Sequence, residues 1–459
     1  MSDGSGLSLR ASRRMPLLIA LLVAAAVALA AWPAPVRAAP QADAPTVVMA
    51  DPASITFRVR VRTDADLASA TLNYKVLSPD GNIGGSLRAE VSPGRSADLS
   101  AQLTTNGGDR YIPVGSRITY AWEIVDRNGA AVTTPEQTGV FLDGRYQWRS
   151  QTVGKVTTYG YGGDDIPANL ALEATAAAIG DIEVLLGVQL SYPVRVVVWR
   201  SSADGKAAQQ PRSATFDSQV VTGGSRVSAD VLHIYDSLGA FVDVTRHEAG
   251  HLVTKVAGDG PFTKIPAWLD EGTAVYAQRA PGAGYVNGLQ QAIRTDQTLR
   301  LRNLGAATNQ PERVDLFYGQ SWATVKFMID TYGQSKFAAV FREVKAGSPI
   351  DEALLQVIGV DQDGLYNAWR ASVGLKPIDF PPVPRFAPAT AQATQPPLRI
   401  PTSVSAADAG GAAGGGAAAQ PAEAADGGGS AVTGIAVALA ALIVAGGLGA
   451  FGLRLARRR

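Results

Sequence analysis

The stretch Arg246-His247-Glu248-Ala249-Gly250-His251-Leu252 leaves this chain the least freedom. His247 and His251 stand four apart, so on an α-helix their imidazoles leave the same face, one turn from each other. Two ring nitrogens at that spacing can grip one Zn²⁺ ion. Glu248, next to the first histidine, is placed to take a proton from a metal-bound water. The chain has three histidines in 459 residues, and two of them fall in this pattern. The bland alternative is an exposed helix that happens to carry two unrelated histidines.

A second block narrows the choice. Pro266-Ala267-Trp268-Leu269-Asp270-Glu271-Gly272-Thr273-Ala274-Val275-Tyr276 reads as a helix with proline in its first turn. Two neutral imidazoles leave a zinc site short of a third protein ligand and of negative charge, and a carboxylate supplies both. Together the two blocks resemble the gluzincin metallopeptidases, the thermolysin and aminopeptidase-like superfamily also called peptidase MA. The likeness covers roughly residues 155–375. In that family the third ligand is the glutamate of a W-L-x-E-G-type block on the next helix. Glu271 matches it, while the neighbouring Asp270 precedes the position the family uses.

The resemblance implies an α+β fold in which a small mixed sheet and a helical half form a gluzincin-like domain. It also implies Zn²⁺ held by His247, His251 and Glu271, with a peptide or protein as substrate. The residues alone say hydrolysis of a polarised carbonyl: Glu248 deprotonates the attacking water and passes the proton to the leaving nitrogen. Negative charge then builds on the carbonyl oxygen and calls for a second electrophile. Several gluzincins supply a tyrosine hydroxyl from a helix after the third ligand. Tyr318, in Phe317-Tyr318-Gly319-Gln320-Ser321, is the candidate for that role, since helix starts favour developing anions. Tyr276 is its rival, expected to point into the core, and the plain alternative makes Tyr318 a packing residue.

The chain departs from its relatives at two places. Thermolysin-like enzymes place an aspartate four residues after the ligand glutamate to orient a histidine, and here that position is Val275. Another acceptor must fix the imidazole tautomer. Asp243, one turn before His247, is a candidate, with a helix N-terminal acid as its plainer role. The G-x-M-E-N motif with which aminopeptidase relatives grip a free amino terminus is also missing. Ser228-Ala229-Asp230-Val231-Leu232-His233 is the stretch matched to it, and the loss favours an endopeptidase. His233 could touch substrate there or serve as a structural histidine on a strand.

The rest of the chain is organised around this domain, expected over 150–380. Residues 45–148 read as β structure: Ile55–Val61 alternates apolar and polar side chains, and Thr71–Val76, Leu99–Leu103 and Ile118–Val125 repeat the pattern between glycine turns. That spacing suggests a β-sandwich of the immunoglobulin or fibronectin type, acting as platform or binding module. Asn169–Leu186 has helical period, Val194–Trp199 reads as a buried strand, and 202–218 reads as a polar loop. Ser225–Tyr235 follows, then the zinc helix from about Leu238 to Val256. Helices are expected near 286–297, 318–332, 335–346, 350–358 and 362–373.

Both ends read as membrane or export signals. Arg10, Arg13 and Arg14, an apolar run over 17–32 and Val36-Arg37-Ala38 have the layout of a secretory signal peptide over 1–38. The pair Arg13-Arg14 loosely resembles a twin-arginine signal, and an uncleaved anchor is the other reading. Residues 381–430 are Pro-, Ala- and Gly-rich, the composition of a flexible stalk. Residues 431–453 are apolar enough to cross a bilayer, and the arginines of 454–459 would hold that tail in the cytoplasm. This predicts a single-pass membrane protein with its zinc domain outside the cytoplasm. The formal charge is +1, with arginines concentrated at both ends. The mildly acidic remainder argues against a nucleic-acid partner. The absence of cysteine excludes disulfides, thiolate ligands and a cysteine nucleophile. An intramembrane protease does not fit, because H-E-x-x-H lies far from either apolar run. A tethered, catalytically idle module that binds through its sandwich is the competing class, and the intact Glu248 speaks against it.

Overall fold

The structure is a computed structural model that describes residues 38–107, 110–210, 223–235, 239–306 and 310–382. The expected leader up to residue 37, the stalk beyond 382, the apolar segment 431–453 and the basic tail lie outside the described residues. Among the described residues no helix is long and apolar enough to cross a membrane.

Period-two alternation builds the first part of the chain. In β3 (Ser54–Arg62), Ile55, Phe57, Val59 and Val61 are buried while Arg58, Arg60 and Arg62 are exposed. β3 pairs antiparallel with β1 (Gln41–Ala42), β2 (Thr46–Asp51) and β6 (Ser96–Thr104). A second antiparallel sheet runs β10 (Ala131–Thr133), β9 (Arg117–Asp126), β4 (Leu67–Leu77), β5 (Ile83–Ala89), with β11 (Gln137–Val140) also on β9. β7 (Asn106–Gly107) and β8 (Arg110–Tyr111) form a small ribbon. Phe57 and Tyr120, one from each larger sheet, meet with ring centroids 4.8 Å apart, and the inward faces share one core. All four strands expected from the sequence lie inside observed ones.

A mixed five-stranded sheet follows, in the order β12 (Arg149–Val153), β13 (Val156–Gly160), β14 (Val194–Trp199), β16 (Val231–Tyr235), β15 (Gly224–Ser228). β13, β14 and β16 are parallel, and both edge strands run antiparallel. β14 and β16 are buried throughout and almost wholly apolar, with Arg195 and His233 as their buried polar members. Helix α1 (Ile166–Leu186) packs on β12, β13 and β14. Val197, Trp199, Val231 and Tyr235 join the hydrophobic core of the two preceding sheets. The expected boundary near residue 149 therefore runs through a continuous core. The loop expected over 202–218 opens instead with a helical turn, Ser202–Gly205. The Ser201 hydroxyl caps it, accepting from the Asp204 N–H at 3.1 Å.

The remaining helices are α2 (Phe241–Gly258), α3 (Ala267–Ala277), α4 (Ala283–Thr295), α5 (Val314–Tyr332), α6 (Gln334–Ala346), α7 (Ile350–Ile358) and α8 (Gln362–Ser372). The described residues divide into two compact units. One holds the residues up to Val256 together with Thr273–Ala280. The other holds Ala257–Gly272 and the residues from Pro281 onward.

In the second unit Gly272 of α3 lies so close to α5 that an added Cβ would stand 2.4 Å from the Ser321 carbonyl oxygen, so the position must be glycine. Trp268 is fully buried there and donates its indole N–H to Gln362 at 3.1 Å. Arg300 grips the Asp363 carboxylate through two nitrogens, each at 2.7 Å. α5 starts at Val314, following a 3-10 turn over Pro311–Arg313, one turn earlier than the expected 318. Asp315 supplies the acid that a first turn favours. Tyr318 is thus inside the helix, and the argument from a helix start no longer applies to it.

Candidate metal centre

Helix α2 carries the first part of the site. Both histidines and Glu248 are buried on it. The glycine inside the motif has a packing reason: a Cβ on Gly250 would stand 3.3 Å from the Ala274 Cα and 3.3 Å from the Ala277 Cβ. The C-terminal half of α3 thereby approaches α2 backbone to backbone. Polar contacts pin the end of α3 in place. The Arg246 Nε donates to the Ala277 carbonyl at 2.6 Å, and the Arg279 N–H donates to Asp243 at 3.1 Å. The Arg246 guanidinium also pairs with Asp181 of α1 at 2.5 Å.

Glu271 stands on this same helix, two residues before Thr273. It is fully buried. One ligand atom from each of His247, His251 and Glu271 lies within 4.8 Å of the others. Asp270 is buried but is not a member of that group. The two Nε2 atoms of His247 and His251 are 3.2 Å apart. Tetrahedral zinc with bonds of about 2.0–2.1 Å to nitrogen separates neighbouring ligand atoms by roughly 3.3 Å. The donor set, two imidazoles and one carboxylate, is also one that zinc takes when a position is kept open. The residues present therefore fit that ion.

Glu248 is oriented by the edge of the mixed sheet. Its Oε2 accepts the backbone N–H of Arg226, on β15, at 3.0 Å. Gly224 on the same strand makes room, since a Cβ there would come 2.9 Å from the Glu248 Cγ. The strand against Glu248 is Gly224–Ser228 and not Ser228–His233, and none of its five residues is acidic.

The other expected residues fall out as follows. His233 is wholly buried on β16, its Nε2 lies 2.8 Å from the Val114 carbonyl, and its ring meets Trp199 edge-on at 5.7 Å. Burial pushes its pKa down to about 4, with the Val114 hydrogen bond opposing. It is a structural histidine. Asp243 takes the plainer role of an acid in the first turn of α2, and it also accepts the Arg279 N–H. Val275 is buried and apolar. Tyr276 is only partly buried, against the expectation that it points into the core. Tyr318 is buried and stacked on Tyr285, with centroids 5.1 Å apart.

Two contacts escaped the sequence reading. The Arg226 N–H belongs to a backbone and leaves no residue signature. Gln278, whose amide nitrogen lies 3.2 Å from the His247 Nδ1, had one available signal. It stands seven residues after Glu271, the spacing of two helical turns, and directly follows the end of α3 at Ala277.

Residues 174–374 match the sequence profile of the Peptidase MA superfamily. No curated protein sequence matches the chain. Among solved structures, an M1 zinc metallopeptidase from Deinococcus radiodurans is 14% identical, with a TM-score of 0.33, over 76% of this chain and 97% of that one. An aminopeptidase N family protein from Idiomarina loihiensis is 9% identical, with a TM-score of 0.30, over 74% of each chain.

Proposed function

We propose, on the premise that residues 174–374 belong to the peptidase MA superfamily, that the chain is a zinc-dependent peptidase. The observation that carries this reading is the buried convergence of His247, His251 and Glu271, with their ligand atoms within 4.8 Å of one another. Bound there, Zn²⁺ would polarise a carbonyl and acidify a water. Glu248 beside His247 then acts as general base, taking the water's proton and returning it to the leaving nitrogen. The Arg226 N–H on one oxygen of Glu248 fixes the direction of that carboxylate. Tyr318 is assigned to the carbonyl oxygen as it gains charge, a role that rests on the family resemblance.

Endopeptidase action is supported by the strand beside Glu248, where Gly224–Ser228 offers no carboxylate for a substrate's free amino group. The two antiparallel sheets before residue 149 are read as an immunoglobulin- or fibronectin-like platform. The apolar segment 431–453 is read as a tether that leaves the peptidase domain outside the cytoplasm.

Zinc content and peptide-library cleavage by the purified full-length chain test the reading. One zinc per chain and cleavage within peptides are expected. Glu248→Gln should keep the zinc and lose about 10³-fold in turnover, because an amide is a poor proton acceptor. In the same assay Tyr318→Phe should keep zinc and lower kcat about 10²-fold with KM little changed. Undiminished cleavage by Glu248→Gln would sink the mechanism, and wild-type turnover in Tyr318→Phe would return that residue to packing.

A further inference from the structure

We infer that Gln278 is the positioning residue of His247, and that this chain orients its first zinc ligand with a neutral amide in place of a carboxylate. The inference rests on the peptidase reading above. Its first support is direct: the side-chain amide stands 3.2 Å from Nδ1, the ring nitrogen turned away from His251. Its second support is the rigidity of the backbone that carries Gln278. The preceding residue is held by Arg246 at 2.6 Å, the following residue by Asp243 at 3.1 Å, and the Gln278 N–H itself donates to the Val275 carbonyl at 3.1 Å. Three successive residues are thus tied to helices α2 and α3, and the amide is delivered to the imidazole by a fixed frame. Asp243, one turn before His247, accepts the Arg279 N–H.

The choice of amide has a chemical consequence. A ring that offers Nε2 to a metal carries its hydrogen on Nδ1 and needs an acceptor there. The amide oxygen supplies one once the group is turned about its last bond, while the amide nitrogen can donate to an unprotonated Nδ1. Gln278 can therefore hold His247 in either tautomer, whereas a carboxylate would hold only the metal-ready one and would add negative charge. Zinc affinity should accordingly be lower here than the same three ligands would give with a carboxylate behind the ring.

The test is zinc affinity of the intact chain, measured by chelator competition. Gln278→Leu, close in shape but without donor or acceptor, should bind zinc about 10- to 100-fold more weakly. Its melting temperature in excess chelator should match that of the parent. Gln278→Glu should bind at least as tightly as the parent. Parental affinity in Gln278→Leu, or the same loss in Gln278→Glu, would overturn the inference while leaving the peptidase reading intact. A parent chain that takes up no zinc would overturn both. Nitrogen-15 spectra of the zinc-loaded parent give an answer independent of folding in the variants. A slowly exchanging proton on the His247 Nδ1 is expected, and rapid exchange with water would overturn the role.

Discussion

Two buried histidines in the first compact unit, His233 and His247, show what separates a histidine that builds from one that works. His233 faces a backbone carbonyl, that of Val114, contributed by a segment 119 residues away. Its ring also makes a T-shaped contact with Trp199. Beside it Arg195 joins the same seam, donating to the Gly115 carbonyl at 2.6 Å and pairing with Asp230 at 2.5 Å, with both charged side chains buried. Each of these partners has a fixed role in the fold. His247 instead faces side chains: the amide of Gln278, the imidazole of His251 and the carboxylate of Glu271. Those groups can exchange protons or give up a lone pair to an ion. Burial is common to both histidines, so burial alone does not mark a site. The chemistry of the partners does.

The comparison breaks most sharply if the wrong histidine controls the metal. His247→Ala should abolish zinc binding in the full-length chain and change its metal-free denaturation midpoint little. His233→Ala should leave the zinc stoichiometry at one per chain while lowering stability, by leaving the Val114 carbonyl unanswered. Zinc titration and chemical denaturation of the two variants side by side would decide the matter. Equal loss of zinc in both would mean that the seam and the site are one unit of function.

Arg195→Ala sharpens the structural half. Asp230 would be left as an unpaired buried charge, which costs about 3 to 5 kcal/mol when one partner of such a pair is removed. Loss of that size in denaturation, with zinc affinity unchanged, would place the seam in folding and not in catalysis. A loss below about 1 kcal/mol would show that the pair behaves like a surface ion pair.

What the sequence could tell follows the same division. The strands before residue 149 were legible because each carries its own alternation, as in Ile55 to Val61, and the ligand histidines because four-residue spacing is local. Contacts that join distant segments were not legible. Nothing near Val114 marks its carbonyl as the partner of His233, and nothing in Gly224–Ser228 marks that strand as the one that steers Glu248. The helix expected from about 318 begins at Val314, where Asp315 supplies the first-turn acid and the turn over Pro311–Arg313 leads in. The glycines at 250 and 272 were visible as letters, but their meaning, a close approach between elements, exists only once the helices pack.

The smallest effect concerns acid. Burial holds the His233 imidazole at a pKa of about 4, below its ordinary 6.5. Above pH 6.5 the ring is neutral in both folded and unfolded chains and exerts no pull on stability. Between 6.5 and 4 the unfolded chain takes up a proton that the folded one refuses, so stability falls as pH falls, by up to about 1.4 kcal/mol per pH unit. Below about 4 both states are protonated and the loss from this residue is complete. His233→Gln retains a donor for the Val114 carbonyl but does not titrate. Denaturation of parent and variant from pH 7 to pH 4 should therefore give curves that separate steadily, the parent losing more. Parallel curves would mean that the ring accepts its proton without leaving the seam, and His233 would then resemble His247 more than its partners suggest.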